Sequence, residues 1–409
     1  MNLVLRLAWR NLWRQPRRTW LTTGAMVFSN VLLVFMISLQ FGMYRLMIEN
    51  SLETFTGHLQ VQAQGYIDEQ KIRQTIPDVG ALAQDLRQEL GSDDVAARAT
   101  AFALASSEDR SYGIAVFGVE PRYEPNVSNI PGLVRDGRYL QDSGEAELVI
   151  GSVLARNLKV GVGDELTLIG SGRDGSFAAV VAVIVGIFDS GVAELDRTIA
   201  EMPLAPFQDV FYMQGAGHQV VVNAPRLGDV ADLRQRVASL IPQDRGLVVH
   251  DWDALVPGLK QAIQADISSA VFMYAVLVIL VAFSVLNTQL MSVLERTHEF
   301  GIVLALGLKP GRLGRLVMLE TALMGGMGLL IGALVGGALT AWLGVHGFTL
   351  PGMEEMGAKF NLPSRLHPQV TLASLVSGPA VVFLFSLLAS VYPALRLRRL
   401  QPVEAMRAA

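Results

Sequence analysis

The sequence that decides the fold runs through residues 267–320. Its first half, ISSAVFMYAVLVILVAFSVLNTQLMSVL, ends at Leu294 and contains no charged residue. It is long enough to cross a bilayer, because a membrane helix needs about 20 apolar residues. The second half, ERTHEFGIVLALGLKPGRLGRLVMLE at 295–320, mixes acids, bases and glycines with a second apolar run. A link between two membrane helices needs only a few polar residues, so this segment indicates a contact site for another molecule.

Three further segments, 19–44, 321–353 and 366–395, also lack Asp, Glu, Lys and Arg over sufficient length. The four segments together predict transmembrane helices at 20–44, 267–294, 321–345 and 371–395, with a loop at 346–370 before the last helix. Residues 177–188 (FAAVVAVIVGIF) are equally apolar but only about half as long as a membrane helix requires. They therefore predict a β-strand that is buried on both faces.

The distribution of charge predicts the orientation of these helices. The first 18 residues contain arginines and no acid, and the segments 295–320 and 396–409 are also rich in basic residues. Cytoplasmic loops carry such an excess, so both termini and the 295–320 loop should be cytoplasmic. Residues 45–266 instead hold 18 Lys or Arg and 31 Asp or Glu, which indicates a domain outside the cytoplasm. The chain is thus predicted to cross the membrane four times.

The domain at 45–266 is predicted to be α+β. Residues 79–90 and 227–241 show helical periodicity, whereas runs such as HLQVQAQ at 58–64 are typical of strands. The two helices lie at opposite ends of the domain, and each is adjacent to strand-like sequence. We therefore expect two α+β halves with a β-rich insertion at about 126–214. The predicted fold class is an α-helical membrane protein with four transmembrane helices and a large α+β extracytoplasmic domain inserted between helices 1 and 2.

Amphipathic sequence flanks the predicted membrane helices. In residues 1–19, leucines and tryptophans alternate with arginines at near-helical spacing, which predicts a helix lying in the cytoplasmic interface. The alternative is a basic flank that only sets the topology. Residues 44–55 and 255–265 also have helical character, and they either extend helices 1 and 2 as a paired stalk or lie flat on the membrane.

No catalytic motif is evident in the sequence. The Gly-rich segment GSGRDGS at 170–176 lacks the lysine and the following helix of a P-loop, so this chain is not expected to bind ATP or to be an enzyme. The histidines lack metal-ligand spacing, and no cofactor is expected on this chain. The acidic domain argues against nucleic acid as a partner. Gly328, Gly332 and Gly336 recur every four residues in the third predicted helix, which indicates close approach of another helix.

Four local motifs, combined with this layout, identify a family. They are LAWRNLWRQPRRT at 7–19, IGSVLARNLKVGVGDELTL at 150–168, ERTHEFGIVLALGLKPGRL at 295–313 and YPALRLRRLQPVEAMR at 392–407. The chain resembles the FtsX-like, MacB-type permeases of ABC transporters, and among them the lipoprotein-releasing permeases. The resemblance covers the full chain, and the third motif is the most specific. Unlike the macrolide exporters, this sequence contains no ATPase, and its external domain is larger than in cell-division FtsX proteins.

The resemblance implies a multi-pass protein of the inner (plasma) membrane whose large domain is periplasmic. It also implies that two permeases, either two copies or a copy and a paralogue, sit over two ATPase subunits that bind the ATP. The 295–320 loop would dock on an ATPase through a short helix, with Pro310 in the first turn of the next helix. The implied coupling residues are Glu295, Arg296, Glu299, Gly301, Gly307, Pro310 and Arg312. The alternative is a loop that only sets the topology and lies on lipid.

Two functions are compatible with this family resemblance. The first is extraction or export of a lipophilic cargo, with lipoproteins released from the inner membrane as the favoured class and a soluble periplasmic acceptor as a partner. The second is mechanical transmission to a periplasmic protein such as a cell-wall hydrolase, or export of another amphiphile or peptide. A cargo route needs a flexible apolar surface near the end of helix 1, beside membrane lipids. The candidate residues are Phe41, Met43, Leu46, Met47 and Ile48.

Overall fold

The computed structural model describes residues 3–108, 110–242, 245–349 and 365–397. The chain divides into two compact units. The described residues of Met1–Arg45, Ile263–Pro351 and Arg365–Ala409 form the helical unit, and those of Leu46–Ala262 form the inserted domain. Most of the predicted 346–370 loop and all but two residues of the predicted 396–409 tail lie outside the described residues.

The described helices are α1 Leu3–Leu12, α2 Pro16–Ser51, α3 Tyr66–Glu69, α4 Val79–Leu90, α5 Glu124–Val127, α6 Ser152–Leu158, α7 Ala193–Thr198, α8 Leu204–Val210, α9 Val230–Leu240, α10 Trp252–Leu255, α11 Pro257–Glu295, α12 Thr297–Ala305, α13 Pro310–His346 and α14 Leu372–Arg396. The strands are β1 Leu59–Ala63, β2 Val95–Ser106, β3 Ser111–Val119, β4 Val134–Gly137, β5 Glu147–Gly151, β6 Glu165–Ser171, β7 Phe177–Phe188, β8 Ile199–Pro203, β9 Gln219–Val222 and β10 Leu247–Asp251. A π-helical turn at Leu52–Thr56 follows α2.

Four of the described helices, α2, α11, α13 and α14, are long and apolar enough to cross a membrane. Helices α2, α11 and α13 contain the predicted segments 20–44, 267–294 and 321–345, and α14 begins one residue after the start of the predicted segment 371–395. The prediction separated a 295–320 loop from a helix that begins at residue 321, but α13 begins at Pro310 and continues without a break to His346. Proline is tolerated in the first turn because its missing N–H has no helical partner there. The 295–320 segment therefore includes the first three turns of a long helix.

A row of glycines brings α13 against α2 in the helical unit. A Cβ atom built on Gly332 would lie 2.5 Å from the Cβ of Asn30, and one built on Gly328 would lie 2.7 Å from the Cβ of Met26. Real side chains do not approach this closely, so only glycine fits at these positions. The Asn30 amide also donates to the Gly328 carbonyl at 3.0 Å. The four-residue spacing thus places backbone against backbone, as small residues do in membrane helix pairs.

The strands of the inserted domain form one mixed sheet in the described residues. Its order is β10-β1-β9-β2-β3-β8-β5-β7-β4, and β6 pairs with both β2 and β7. We expected two halves with a separate β-rich insertion at about 126–214, but β8 from that stretch pairs in parallel with β3, from Ala115 with Ile199 to Val119 with Pro203. The sheet is continuous because edge pairing satisfies backbone groups that an isolated insertion would expose.

Residues 177–188 form strand β7 as predicted, but only one face of the strand is buried. Ala178 and Ala182 are buried, whereas Phe177 and Val181 are exposed. Successive side chains point to opposite faces of a sheet. The buried face contributes to the core that α4, α6, α8 and α9 cover, and the other face carries apolar side chains without cover within the described residues.

Candidate coupling site and buried charge clusters

The end of α11, the helix α12 and the start of α13 form a compact helix-turn-helix. Gly307 occupies the turn with a φ of +92°, a left-handed conformation that glycine adopts at the least cost. Phe300 of α12 belongs to one buried cluster with Val293 of α11 and with Leu313 and Val317 of α13. The short helix is therefore fixed against both long helices by apolar packing.

Arg296 lies between the acids of this helix-turn-helix and is largely buried. Its guanidinium is 3.3 Å from Glu320 Oε1 and 3.4 Å from Glu299 Oε2. Asn11 Nδ2 of α1 also donates to Glu320 Oε1 at 2.7 Å. The side chains of Arg296 and Glu320 are 13% and 4% exposed, so Arg296 is held mainly by contacts within the chain, and its contact with a partner stays a prediction. A buried carboxylate is costly without a cation, and Arg296 serves Glu320 in this way.

Glu295 and Glu299 keep about half of their side-chain surface exposed. Glu299 is 3.4 Å from Arg14 Nη2, and Glu295 Oε2 is 3.8 Å from Arg18 Nη1. Exposed ion pairs of this kind contribute little to stability, because water competes for both charges. Both carboxylates are therefore accessible to a partner at small cost, while they also face the N-terminal segment of the chain.

The tip of the helix-turn-helix exposes an apolar and basic surface. Leu306 is 82% exposed and Ile302 is exposed one turn earlier. Of the remaining predicted coupling residues, Gly307, Pro310 and Arg312 are exposed at this tip, whereas Gly301 is buried. Gly301 lies on the packed side of α12, where it approaches the chain itself, and its close approach to a partner stays a prediction. Sequence reasoning missed Leu306 and Ile302, although their four-residue spacing opposite Phe300 and Leu304 was an available signal.

The N-terminal helix α1 is amphipathic, with one side packed on α13. Ala8 and Leu12 are buried, whereas Leu7, Trp9 and Trp13 are exposed. Trp13 lies edge-on to Trp9 and to Trp20, with ring centroids 5.9 Å and 6.3 Å apart. The prediction of an amphipathic helix thus describes α1 correctly, and the packing of its second side on α13 is what the sequence did not reveal.

A polar cluster joins α2 to α11 at the other end of the helical unit. Tyr44 O–H donates to Asp266 Oδ2 at 2.6 Å, and Gln40 Nε2 donates to the same oxygen at 3.0 Å. Tyr274 O–H in turn donates to Gln40 Oε1 at 3.1 Å. Sequence reasoning did not single out these residues. The signal available in the sequence was Asp266, an acid directly before the uncharged segment 267–294, together with the polar residues Gln40 and Tyr44 at the end of the uncharged segment 19–44.

The five candidate cargo residues are not equivalent in the structure. Phe41, Met43 and Met47 are exposed, and Leu46 is half-buried. Ile48 is only 8% exposed, so it is the least accessible of the five, and its contact with cargo stays a prediction. Neighbouring residues of a helix point about 100° apart, so the consecutive residues Leu46, Met47 and Ile48 cannot share one face.

The inserted domain contains a fully buried cluster of charges. Arg98 forms a bidentate ion pair with Glu124, and its Nη1 donates a hydrogen bond to the carbonyl of Phe55 at 2.6 Å. Glu201 is also completely buried and accepts a hydrogen bond from Tyr139 at 2.7 Å. Burial, followed by the nearby Glu124 carboxylate, raises the pKa of Glu201 to about 8. The single cation Arg98 thus faces two buried acids, Glu124 and Glu201, and Glu201 keeps its proton.

Replacing Glu201 with glutamine should flatten the pH dependence of the stability of the inserted domain. The folded domain retains the Glu201 proton up to pH of about 8, whereas the unfolded chain releases it near 4.5. In the unaltered protein, the free energy of unfolding should therefore fall by at most about 1.4 kcal/mol for each unit by which the pH rises across this window, and it should level off above the window. Amide hydrogen exchange of β5 and β8 in the intact protein, corrected for intrinsic rates at pH 6 and 8, measures the effect.

Glu194→Gln is the matched control for this experiment, because Glu194 is an exposed acid of the same domain. It should keep the pH dependence of the unaltered protein, while Glu201→Gln should give nearly equal protection at both pH values. An unchanged pH dependence in Glu201→Gln would show that Glu201 ionises normally.

An apolar face of the sheet is open across three neighbouring strands of the inserted domain. Its exposed side chains are Phe102 and Leu104 of β2 with Phe177, Val181 and Val183 of β7, and β6 pairs with both strands. A cavity of about 980 Å³ adjoins this face and includes Ile169, Val181 and charged rim residues such as Lys159. Exposed patches of this kind mark surfaces for apolar ligands or protein partners.

Comparison with known proteins gives two family matches. The FtsX-like permease C-terminal family matches residues 271–402, and the MacB-like periplasmic core domain family matches residues 19–240. The lipoprotein-releasing system transmembrane protein LolC of Neisseria meningitidis is 25% identical over 75% of this chain and 75% of that protein. LolE of Haemophilus influenzae, of the same system, is 28% identical over 74% of each. The macrolide export ATP-binding/permease protein MacB of Rhodospirillum rubrum is 28% identical over 64% of this chain and 38% of that protein.

These matches define a membrane protein with a periplasmic domain, of the ABC transporter permease class. The chain belongs to the MacB-like periplasmic core domain family, which matches more than half of its residues, and its C-terminal part matches the FtsX-like permeases. The resemblance drawn from the four sequence motifs is thereby confirmed. The four apolar helices of the described residues are consistent with this class.

Proposed function

We propose that this chain is a transmembrane subunit that couples ATP hydrolysis on separate ATPase subunits to the release of a lipophilic cargo. Lipoproteins of the inner membrane are the favoured cargo, because the LolC and LolE relatives are named for lipoprotein release. In this proposal both termini and the helix-turn-helix are cytoplasmic, ATP binds only to the partner ATPase, and no cofactor or nucleic acid binds this chain.

The observation that carries the coupling half of the proposal is the exposed helix-turn-helix tip joined to a buried ion pair. Leu306, Lys309 and Arg312 present a surface to the ATPase, and Glu295 and Glu299 add two accessible acids. Because Arg296 forms an ion pair with Glu320 of α13, a displacement of α12 is transmitted directly to α13. Rigid packed elements transmit displacement in this way.

The helical unit offers a path from this tip to its opposite end. α13 contacts α2 through the Gly328 and Gly332 row, where backbones touch and little side-chain motion can absorb a shift. α2 is in turn tied to α11 through Tyr44 and Asp266. A displacement that begins at α12 would therefore arrive at the periplasmic ends of α2 and α11. A second permease, either another copy of this chain or a paralogue, would complete the cargo site around these ends of α2 and α11.

The cargo half of the proposal rests on apolar surface. Phe41, Met43 and Met47 provide it at the end of α2, where membrane lipids and lipid-modified cargo would meet the protein. The open sheet face at Phe102 and Phe177 would suit an apolar cargo or the soluble periplasmic acceptor that receives it.

A photo-reactive benzophenone side chain at Met43 or Met47 should capture lipid-modified protein in membranes that contain the intact ATPase complex and ATP. Both methionines are exposed, at 44% and 40%, so a probe at either position can reach a cargo. Mass spectrometry of the cross-linked material identifies what is captured. The same probe at Ile48, the buried neighbour of Met47, is the matched control and should capture far less.

The competing function is mechanical transmission to a periplasmic protein such as a cell-wall hydrolase. Capture of soluble protein alone, with no amphiphile at Met43 or Met47, would favour that function and remove the support for transport. Capture of an unmodified peptide or another amphiphile would instead retain export and replace lipoprotein as the cargo.

A further inference from the structure

A cleft opens in the helical unit between the start of α2 and the end of α11. Its volume is about 810 Å³. The lining residues that matter here are Arg17, Arg18, Leu21, Asn287, Met291 and Glu295. Of these residues only Glu295 is also a proposed contact with the ATPase, so coupling to an ATPase leaves the two arginines and the apolar side chains of this cleft unexplained.

The polar half of the cleft has more positive than negative charge. Arg17 is exposed and forms no ion pair with any residue that the structure describes. Arg18 Nη1 is buried without a hydrogen-bond acceptor in the described part of the chain, and its nearest acid is Glu295 at 3.8 Å. A buried donor without an acceptor is costly. Two arginines against one glutamate leave a net positive charge that an anion would neutralise.

The other half of the cleft is apolar and continues along the helices. Leu21 and Met291 line it and are 76% and 57% exposed. Farther along the same two helices, Phe28 of α2 and Leu280 and Phe283 of α11 are also exposed. In a membrane, such side chains contact acyl chains rather than water.

The tryptophans place the cleft at the level of lipid headgroups. Trp20 is exposed within one turn of Arg17 and lies edge-on to Trp13. Tryptophan side chains concentrate at the boundary between hydrocarbon and water, and basic pockets between helices at this boundary suit anionic headgroups. The polar half of the cleft therefore faces phosphates while its apolar half faces lipid tails.

We propose that this cleft binds one anionic phospholipid, with its phosphodiester between Arg17 and Arg18 and an acyl chain along Leu21 and Met291. The lipid phosphate supplies the acceptor that Arg18 Nη1 lacks. The proposal rests on the membrane placement of α2 and α11 in the proposed function, but not on the cargo or on the ATPase.

The test is native mass spectrometry of the full chain released from nanodiscs that contain equal phosphatidylglycerol and phosphatidylcholine. The unaltered protein should retain one phosphatidylglycerol per chain in preference to phosphatidylcholine. Arg17→Gln should lower this retention about fivefold, and Arg17→Gln with Arg18→Gln should lower it further by a similar factor, as expected for the loss of about 1 kcal/mol of attraction for each charge. Arg17→Gln leaves the Arg18 and Glu295 pair intact, so it remains informative if the double variant does not fold.

Arg315→Gln is the matched control, because Arg315 is an exposed arginine of α13 outside the cleft. It should leave retention unchanged. Equal loss in Arg315→Gln and Arg17→Gln would show general attraction to the membrane surface and would overturn the proposal. Equal retention of phosphatidylcholine would overturn it as well. Displacement of the lipid by millimolar inorganic phosphate would indicate a site for free phosphate rather than for a lipid.

Discussion

Replacing Arg296 with methionine is expected to destabilise the helical unit by about 3 to 5 kcal/mol, the usual effect of breaking a buried ion pair. Glu320 is 4% exposed and would lose its cation, while Asn11 remains its only other polar contact in the described residues. Methionine retains much of the apolar stem of arginine, so the change removes charge more than volume. ATP-driven release of cargo should be lost even where some folded protein remains.

Two further variants separate the ion pair from a general loss of positive charge. Arg315→Met removes an exposed arginine of the same helix-turn-helix region and should leave both stability and activity nearly unchanged. Arg296→Met combined with Glu320→Gln removes both charges and should recover most of the stability. Activity that stays low in this stable double variant would assign Arg296 to transmission. Full activity of the single variant Arg296→Met would contradict the proposed coupling path.

The second large effect is expected at Arg98 in the inserted domain. Arg98→Met leaves Glu124 and Glu201 buried together without a cation, and this should cost about 3 to 5 kcal/mol. It also removes the hydrogen bond to the Phe55 carbonyl in the π-helical turn that follows α2. Limited proteolysis and amide hydrogen exchange of the intact protein should show early opening of β2 and of the turn at Leu52–Thr56.

The matched control for Arg98 is Arg226→Met, which removes an exposed arginine of the same domain and should change stability by less than about 0.5 kcal/mol. Arg98→Met with Glu124→Gln should be more stable than Arg98→Met alone, because the buried carboxylate that Arg98 neutralised is then gone. If Arg98→Met resists protease as well as the unaltered protein does, the cluster carries no net stabilisation.

Much of the helical unit could be predicted because a membrane helix is defined by composition over a length. The uncharged segments coincide with α2, α11, α13 and α14, and the glycine row at Gly328, Gly332 and Gly336 indicated a close helix contact that the structure places on α2. A helix that starts at Pro310 was predicted, but its unbroken continuation into the third membrane helix was missed, because the loop was extended to Glu320. Charged residues at Arg312 and Arg315 mark the end of an apolar segment but do not end a helix.

The inserted domain was harder to predict because strand pairing is nonlocal. Short runs of β-branched residues located most strands, yet nothing in them shows that β8 pairs in parallel with β3 or that β6 pairs with both β2 and β7. The same limit applies to β7. Its apolar residues suggested burial on both faces, whereas the sheet covers only the face that carries Ala178 and Ala182.

The sequence by itself determined which segments are apolar enough to cross a membrane, and its four motifs together with this layout indicated the family. Those properties follow from residues that are close along the chain. Tertiary structure alone decided which charges are structural and which are available. Arg296 and Arg312 have the same chemistry within one loop, but folding brings Glu320 and Asn11 to Arg296 and leaves Arg312 exposed. The cost of an unpaired charge depends on burial, and burial depends on residues that are distant in the sequence.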